Sequence, residues 1–254
     1  MVVAGAKYEH PYAARQPHRS DNVVVPETPR GDSGLADLLR HFRQTAPVFG
    51  RIGRSGSCKE PHMAKVPDKQ GIFFELDGVL VSSPDLGPEN ALPFLPRSFE
   101  ALGRIDPSRF KLFLATSRQD IAFGQRKEKD FTRFCEVLID RLRADGIQIA
   151  KIYSCPYHPK GKGRFRRESV FRKPGPGIFK MAQQEFDLDL HRCWMIGHTS
   201  LDLLAAQRAE VGTILVRTGQ GGQDGQFDAE PHFIENDLFD AVVRINQFEH
   251  ALRC

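Results

Sequence analysis

The sequence predicts an α/β fold: a doubly wound parallel sheet flanked by helices, without a large cap. Three observations predict it. From residue 71 onward, short apolar runs rich in Ile, Val, Leu and Phe alternate with longer amphipathic stretches. Several of these runs end at a polar or acidic cluster, and 254 residues suit one α/β domain with an appendage. Strict alternation of this kind marks strand–helix–strand crossovers, and a strand covered by helices on both faces is apolar along its whole length.

Taken in order, strands are expected over 71–75, 111–116, 149–155, 193–197 and 212–218. Helices are expected over 96–105, 127–145, 177–186, 200–209 and 237–248. The clearest helix is 127–145, where Phe131, Phe134, Cys135, Leu138, Ile139 and Leu142 recur at spacings of three and four and Gly146 supplies the stop. Together these elements define one domain over 71–248. Residues 1–70 have a different texture, dominated by Pro, Arg, His, Ser and Gly, and are expected to form a disordered extension, since they bury too little apolar surface to offset chain entropy. Within them Leu35, Leu38, Leu39 and Phe42 fall on one helical face after the cap-like pair Asp32-Ser33, which reads as a marginal isolated helix or a short docking helix. Met63 stands a few residues before the first strand and is an alternative start, which would make residues 1–62 an upstream extension.

Composition excludes several classes. Charged residues make up 27% of the chain and no long apolar run occurs, so no membrane span is expected. No signal-peptide-like stretch follows residue 1. Five scattered cysteines argue against a disulfide framework and for a reducing compartment, so the chain reads as cytoplasmic. A formal net charge of +4 is small for this length and points to neither nucleic acid nor membrane. The basic run Lys160, Lys162, Arg164, Arg166, Arg167 reads as a solvated loop or an anion funnel, and it lacks the interleaved aromatics of a nucleic-acid site. The glycines at 219, 221, 222 and 225 read as a flexible loop rather than a dinucleotide fingerprint.

Chemistry in such sheets gathers at the carboxyl ends of the strands. Those ends carry Glu75 and Asp77, then Thr116-Ser117-Arg118, then His198 with Asp202 four residues on, while Arg172-Lys173-Pro174 precedes a helix. Paired acids, a hydroxyl, a Lys and a further acid are the parts of phosphoryl transfer from a monoester: the first acid attacks, the hydroxyl and Lys hold phosphate oxygens, and a carboxylate-bound Mg²⁺ offsets charge. Each part also has a plainer reading. The acids could be solvated strand ends, Thr116 a β-branched terminator, Lys173 a surface lysine, His198 a hydrogen-bonded turn residue, and Asp202 an acid favoured early in a helix by the dipole.

The order of these motifs resembles the heptose bisphosphate phosphatase and histidinol-phosphatase branch of the haloacid dehalogenase (HAD) superfamily, over roughly residues 71–246. That branch carries an Asp-x-Asp-Gly strand, matched by Glu75-Leu76-Asp77-Gly78-Val79. Its Thr-Asn-Gln-Ser-Gly-Ile-Ala-x-Gly stretch is matched in part by Thr116 to Gly124, and its Cys-Pro-x-His-Pro segment by Cys155-Pro156-Tyr157-His158-Pro159. Arg-Lys-Pro-x-Pro-Gly is matched by Arg172 to Gly177. Val-Gly-Asp-Lys-x-x-Asp is echoed from Ile196 to Asp202, and Leu-Val-Arg-Thr-Gly closes the pattern at Leu215 to Gly219.

The resemblance implies a Rossmann-like domain that hydrolyses a sugar or small-molecule phosphate through an aspartyl-phosphate with Mg²⁺. It assigns Glu75 and Asp77 to catalysis, Thr116, Ser117, Arg172 and Lys173 to phosphate, and Glu75, Asp77, His198 and Asp202 to the metal. The departures fall on reactive positions. Glu75 replaces the nucleophilic Asp, and one methylene displaces the carboxylate by about 1.5 Å. His198 and Thr199 replace the Asp-Lys of the metal turn, and Mg²⁺ prefers oxygen ligands. The branch's zinc loop keeps one ligand of four, Cys155, with Tyr157, Ser169 and Phe171 at the other places, so no zinc is expected. The expected protein is therefore an impaired or inactive phosphatase with a phosphorylated sugar as its ligand. Alternatives are an active Mg²⁺-dependent phosphomonoesterase and a protein-interaction module that uses the extension and the basic loop. Protein partners are unspecified by these motifs.

Overall fold

The computed structural model describes residues 70–252. Expectations for the N-terminal extension, its docking helix and the start at Met63 lie outside the described residues. Six parallel strands form one sheet in the order β3-β2-β1-β4-β5-β6: β1 (Gln70–Phe74), β2 (Phe110–Ser117), β3 (Ile149–Cys155), β4 (Trp194–Gly197), β5 (Gly212–Val216) and β6 (Phe233–Glu235). The chain winds outward from β1 to β3, crosses back to β4 beside β1, and winds outward again. The order therefore reverses at β1, where parallel sheets open a crevice beyond the strand ends. The helices are α1 (Ser98–Gly103), α2 (Gln119–Ala122), α3 (Glu128–Ala144), α4 (Gly177–Phe186), α5 (Ser200–Gln207) and α6 (Leu238–Ala251).

Period-two alternation sorts the strand side chains into two cores. Ile72, Phe74, Leu112, Leu114, Ile196 and Ile214 face α1, α3 and α6, where Phe134, Leu138, Leu142, Val242, Ile245 and Phe248 meet them. Phe73, Phe113, Ala115 and Met195 face α4 and α5, against Ile178, Phe179, Ala182, Ala205 and Ala206. Phe73 stacks on Phe113 at 4.8 Å between ring centroids and meets Phe179 edge-on at 4.9 Å. Burying each such ring contributes roughly 1.5–3 kcal/mol. No large cap interrupts the described residues, and none of their helices is long and apolar enough to cross a membrane.

Two elements differ from the sequence reading. β6 was not expected, because its three half-buried residues are too short a run to show alternation. α2 is a single turn directly after β2, also without a periodic signal of its own.

Candidate active site

The crevice beyond β1 collects the strand-end residues. Glu75 follows β1 directly, and its N–H donates to the Ile196 carbonyl of β4 at 3.1 Å, which anchors it at the reversal of the sheet. Its side chain is buried; Oε1 accepts from the Leu76 N–H at 2.8 Å, and Oε2 pairs with the Lys173 ammonium. Lys173 is delivered from the far side by the turn before α4, whose Lys173-Pro174 peptide is cis. It also pairs with Asp202 and donates to the Ala115 carbonyl at 2.9 Å, so one buried ammonium is shared by two buried carboxylates.

Asp202 sits in the first turn of α5 in a reciprocal capping box with Thr199. Its Oδ2 accepts from the His198 N–H at 3.1 Å, the Thr199 N–H at 3.1 Å and the Thr199 hydroxyl at 2.8 Å, while Oδ1 takes Lys173. Burial alone would raise Asp202, but Lys173 and these donors hold it below the usual carboxylate range. Glu75 is the poorer partner. Burial pushes it up to about 7, with the Lys173 attraction only partly opposing and Asp202 and Asp77 repelling. Burial would lower Lys173, yet Asp202 and Glu75 together hold its ammonium firmly charged. Asp202 therefore owns the lysine and Glu75 takes up protons first.

Asp77 lies on the mouth side of the same strand end. Its Oδ2 accepts from Arg118 Nη1 at 2.6 Å, while Oδ1 is buried with no partner among the described residues. The Thr116 hydroxyl is likewise buried and unpartnered. Ser117 Oγ accepts from the Lys173 N–H at 3.3 Å, which ties the end of β2 to the turn before α4. Arg172 is half-buried beside Lys173, and its charge helps to depress the pKa values of His158 and Cys155 after burial, which acts first on each and in opposite directions. Burial outweighs it at Cys155, whose thiol is pushed up.

His198 is a hydrogen-bonded turn residue. Its Nδ1 accepts from the Gln220 N–H at 2.9 Å, and burial lowers its pKa, so it is neutral and carries its proton on Nε2. The ring fills the gap between two glycines with positive φ: a Cβ on Gly78 would stand 3.0 Å from Cε1, and one on Gly219 would stand 2.5 Å from Nδ1. The 219–225 loop, expected to be flexible, is tied down here. The Gly222 N–H donates to the His198 carbonyl at 2.9 Å, and Asp224 accepts from the Ser200 N–H at 2.8 Å at the start of α5.

Sequence reasoning missed a chain of charges behind Asp77. Arg118 is buried over the Phe131 ring at 4.8 Å and forks onto Asp120 at 3.2 and 2.6 Å. Asp120 accepts from Arg126 Nε at 2.8 Å, and Arg126 reaches Asp85 at 2.7 Å and the Pro84 carbonyl at 3.0 Å. The position of Arg118 immediately after a strand was the available signal. The basic loop is also built rather than loose: Arg167 stacks 3.6 Å over Tyr157, His158 lies 4.8 Å from Phe123, and Arg164 pairs with Glu128. A separate cleft of about 690 Å³, lined by Leu92, Phe94 and Phe99 and by Arg133 and Asp140 of α3, gathers no strand-end groups.

The donor set is a poor match for Mg²⁺: each oxygen of Glu75 and of Asp202 already accepts at least one N–H or O–H, Asp77 keeps one oxygen without a donor, and His198 offers no oxygen. Among the described residues no three His, Cys, Asp or Glu side chains are grouped to hold a metal ion.

A family model described as HAD-hydrolase-like matches residues 170–241, a span that contains Lys173, His198 and Asp202. The D-glycero-β-D-manno-heptose-1,7-bisphosphate 7-phosphatase of Vibrio cholerae is 33% identical over 155 residues, 60% of this chain and 83% of that protein. The same-named protein of Haemophilus ducreyi is 31% identical over 182 residues, 70% of this chain and 99% of its own length. Among solved structures, the D,D-heptose 1,7-bisphosphate phosphatase of B. bronchiseptica, complexed with magnesium and phosphate, is similar with a TM-score of 0.59 and 25% identity, covering 70% of this chain and 98% of that one.

Proposed function

Because the chain belongs to the HAD-like family that contains the heptose bisphosphate phosphatases, we propose that it binds the phosphate of a small phosphorylated sugar at this mouth and hydrolyses it poorly or not at all. The observation that carries this reading is the engagement of the carboxylates: every oxygen of Glu75 and Asp202 already accepts at least one N–H or O–H, and a capped neutral His198 stands where the family resemblance puts a metal carboxylate. The longer Glu75 adds a second handicap, since about 1 Å of misplacement of an attacking group reduces rates by about 100-fold.

The chain's own groups suit binding. The Thr116 hydroxyl is a free donor, Ser117 and Lys173 are held together, and Arg172 adds positive charge at the rim. The stacked loop around Tyr157 and Arg167 supports a fold there without zinc, with Cys155 kept as a buried thiol. The buried, scattered cysteines Cys155 and Cys193 support a cytoplasmic setting. A working phosphatase is the second reading, favoured by the retained pairing of Lys173 with both acids. The test is turnover of heptose bisphosphate and an aryl phosphate by the full chain with Mg²⁺. No turnover above buffer is expected, with partial recovery in Glu75→Asp combined with His198→Asp. Turnover by the unmodified chain that Asp77→Ala abolishes would favour the second reading.

A further inference from the structure

Asp77 keeps the family's residue type, yet it is not a free acid. The carboxylate is one-third exposed to the mouth (34%), while the Arg118 side chain that holds its Oδ2 at 2.6 Å is only 5% exposed. Arg118 is fixed from three sides. Its N–H donates to the Cys155 carbonyl at 2.8 Å, its guanidinium lies over Phe131 in the core, and Asp120 receives two of its N–H groups. Asp120 is itself fixed by the Ile121 N–H at 3.0 Å and by Arg126. A guanidinium held so firmly cannot swing aside as a surface arginine would, and it keeps its permanent charge against the Asp77 carboxylate.

Resting on the reading of a phosphate-binding, hydrolytically impaired site, we propose that Arg118 is a resident cation: a positioning residue that occupies Asp77, keeps a divalent cation out of the mouth and leaves the site to bind phosphate esters without metal. The mismatch with Mg²⁺ then has two sources. His198 removes a ligand, and Arg118 neutralises Asp77, the acid of this group that keeps an oxygen without a donor.

Mn²⁺ titration of the full chain, followed by electron paramagnetic resonance, tests this. The unmodified chain should show no saturable binding, and Arg118→Gln should bind at least about tenfold more tightly. Arg118→Lys, which keeps the charge but gives up the fork to Asp120, should bind Mn²⁺ more weakly than Arg118→Gln; a merely structural role would be damaged equally by both substitutions. Arg118→Gln binding Mn²⁺ no better than the unmodified chain overturns the proposal and leaves the reading of Glu75 and His198 standing. An unmodified chain that binds Mn²⁺ and loses it in Asp77→Asn overturns both the proposal and the metal-free reading of the site, an arm that needs no change at Arg118. Turnover of heptose bisphosphate by the unmodified chain would instead remove the impaired-hydrolysis reading.

Discussion

Two charge clusters flank the end of β1, and they are built on opposite plans. Around Lys173, one fully buried ammonium serves two buried carboxylates, Glu75 and Asp202. Along Asp77, Arg118, Asp120, Arg126 and Asp85, acids and bases alternate and the chain runs from the buried Arg118 out to Asp85, which is 64% exposed. The first cluster has more acid than base and is buried, so the imbalance appears as a proton affinity on Glu75. In the second, each inner acid meets an arginine, and Asp120 is held low against its burial by Arg118 and Arg126. Shared charge makes the first cluster sensitive to pH near neutrality, whereas the lowered Asp120 and Asp85 confine the sensitivity of the second to acid pH.

The largest expected effect breaks the first cluster at its centre. Lys173→Met leaves Glu75 and Asp202 buried without a cation and should destabilise the fold by roughly 3–5 kcal/mol, read by urea denaturation at neutral pH. Next comes pH. The folded pKa of Glu75, about 7, lies above its ordinary 4.5, so the native state binds the extra proton. Its stabilising contribution is complete below pH 4.5 and is lost as pH rises through 7. The total is about 3 kcal/mol, and Glu75→Gln should flatten this part of the stability profile. A profile for Glu75→Gln that still falls across that window would place the imbalance elsewhere. The smallest effect belongs to the outer end of the second chain: Arg126→Gln should cost about 0.2–1 kcal/mol and shrink further in high salt.

The contrast also separates what the sequence could reveal from what it could not. The central strands were legible because burial on both faces leaves an uninterrupted apolar run, and the run at 71–75 corresponds to β1 at Gln70–Phe74. Helix α3 was legible from its spacing alone. Glu75, Thr116, Lys173, His198 and Asp202 converge because parallel strands end on one rim, a property of topology that motif order conveys. The Arg118 chain was not legible: Asp77 and Arg118 lie 41 residues apart, and an ion pair across strands has no local period. The 219–225 loop reads as slack because its glycines suggest freedom. In the fold Gly219 makes room for the His198 ring, Gln220 donates its N–H to that ring, and Gly222 donates to the His198 carbonyl.

The proposed function comes down to a mouth that binds phosphate without a metal. Calorimetric titration of the full chain with orthophosphate, in excess Mg²⁺ and again in chelator, tests it most directly. Saturable binding is expected, with an affinity that agrees within about twofold in the two conditions. Binding that appears only with Mg²⁺ would contradict it.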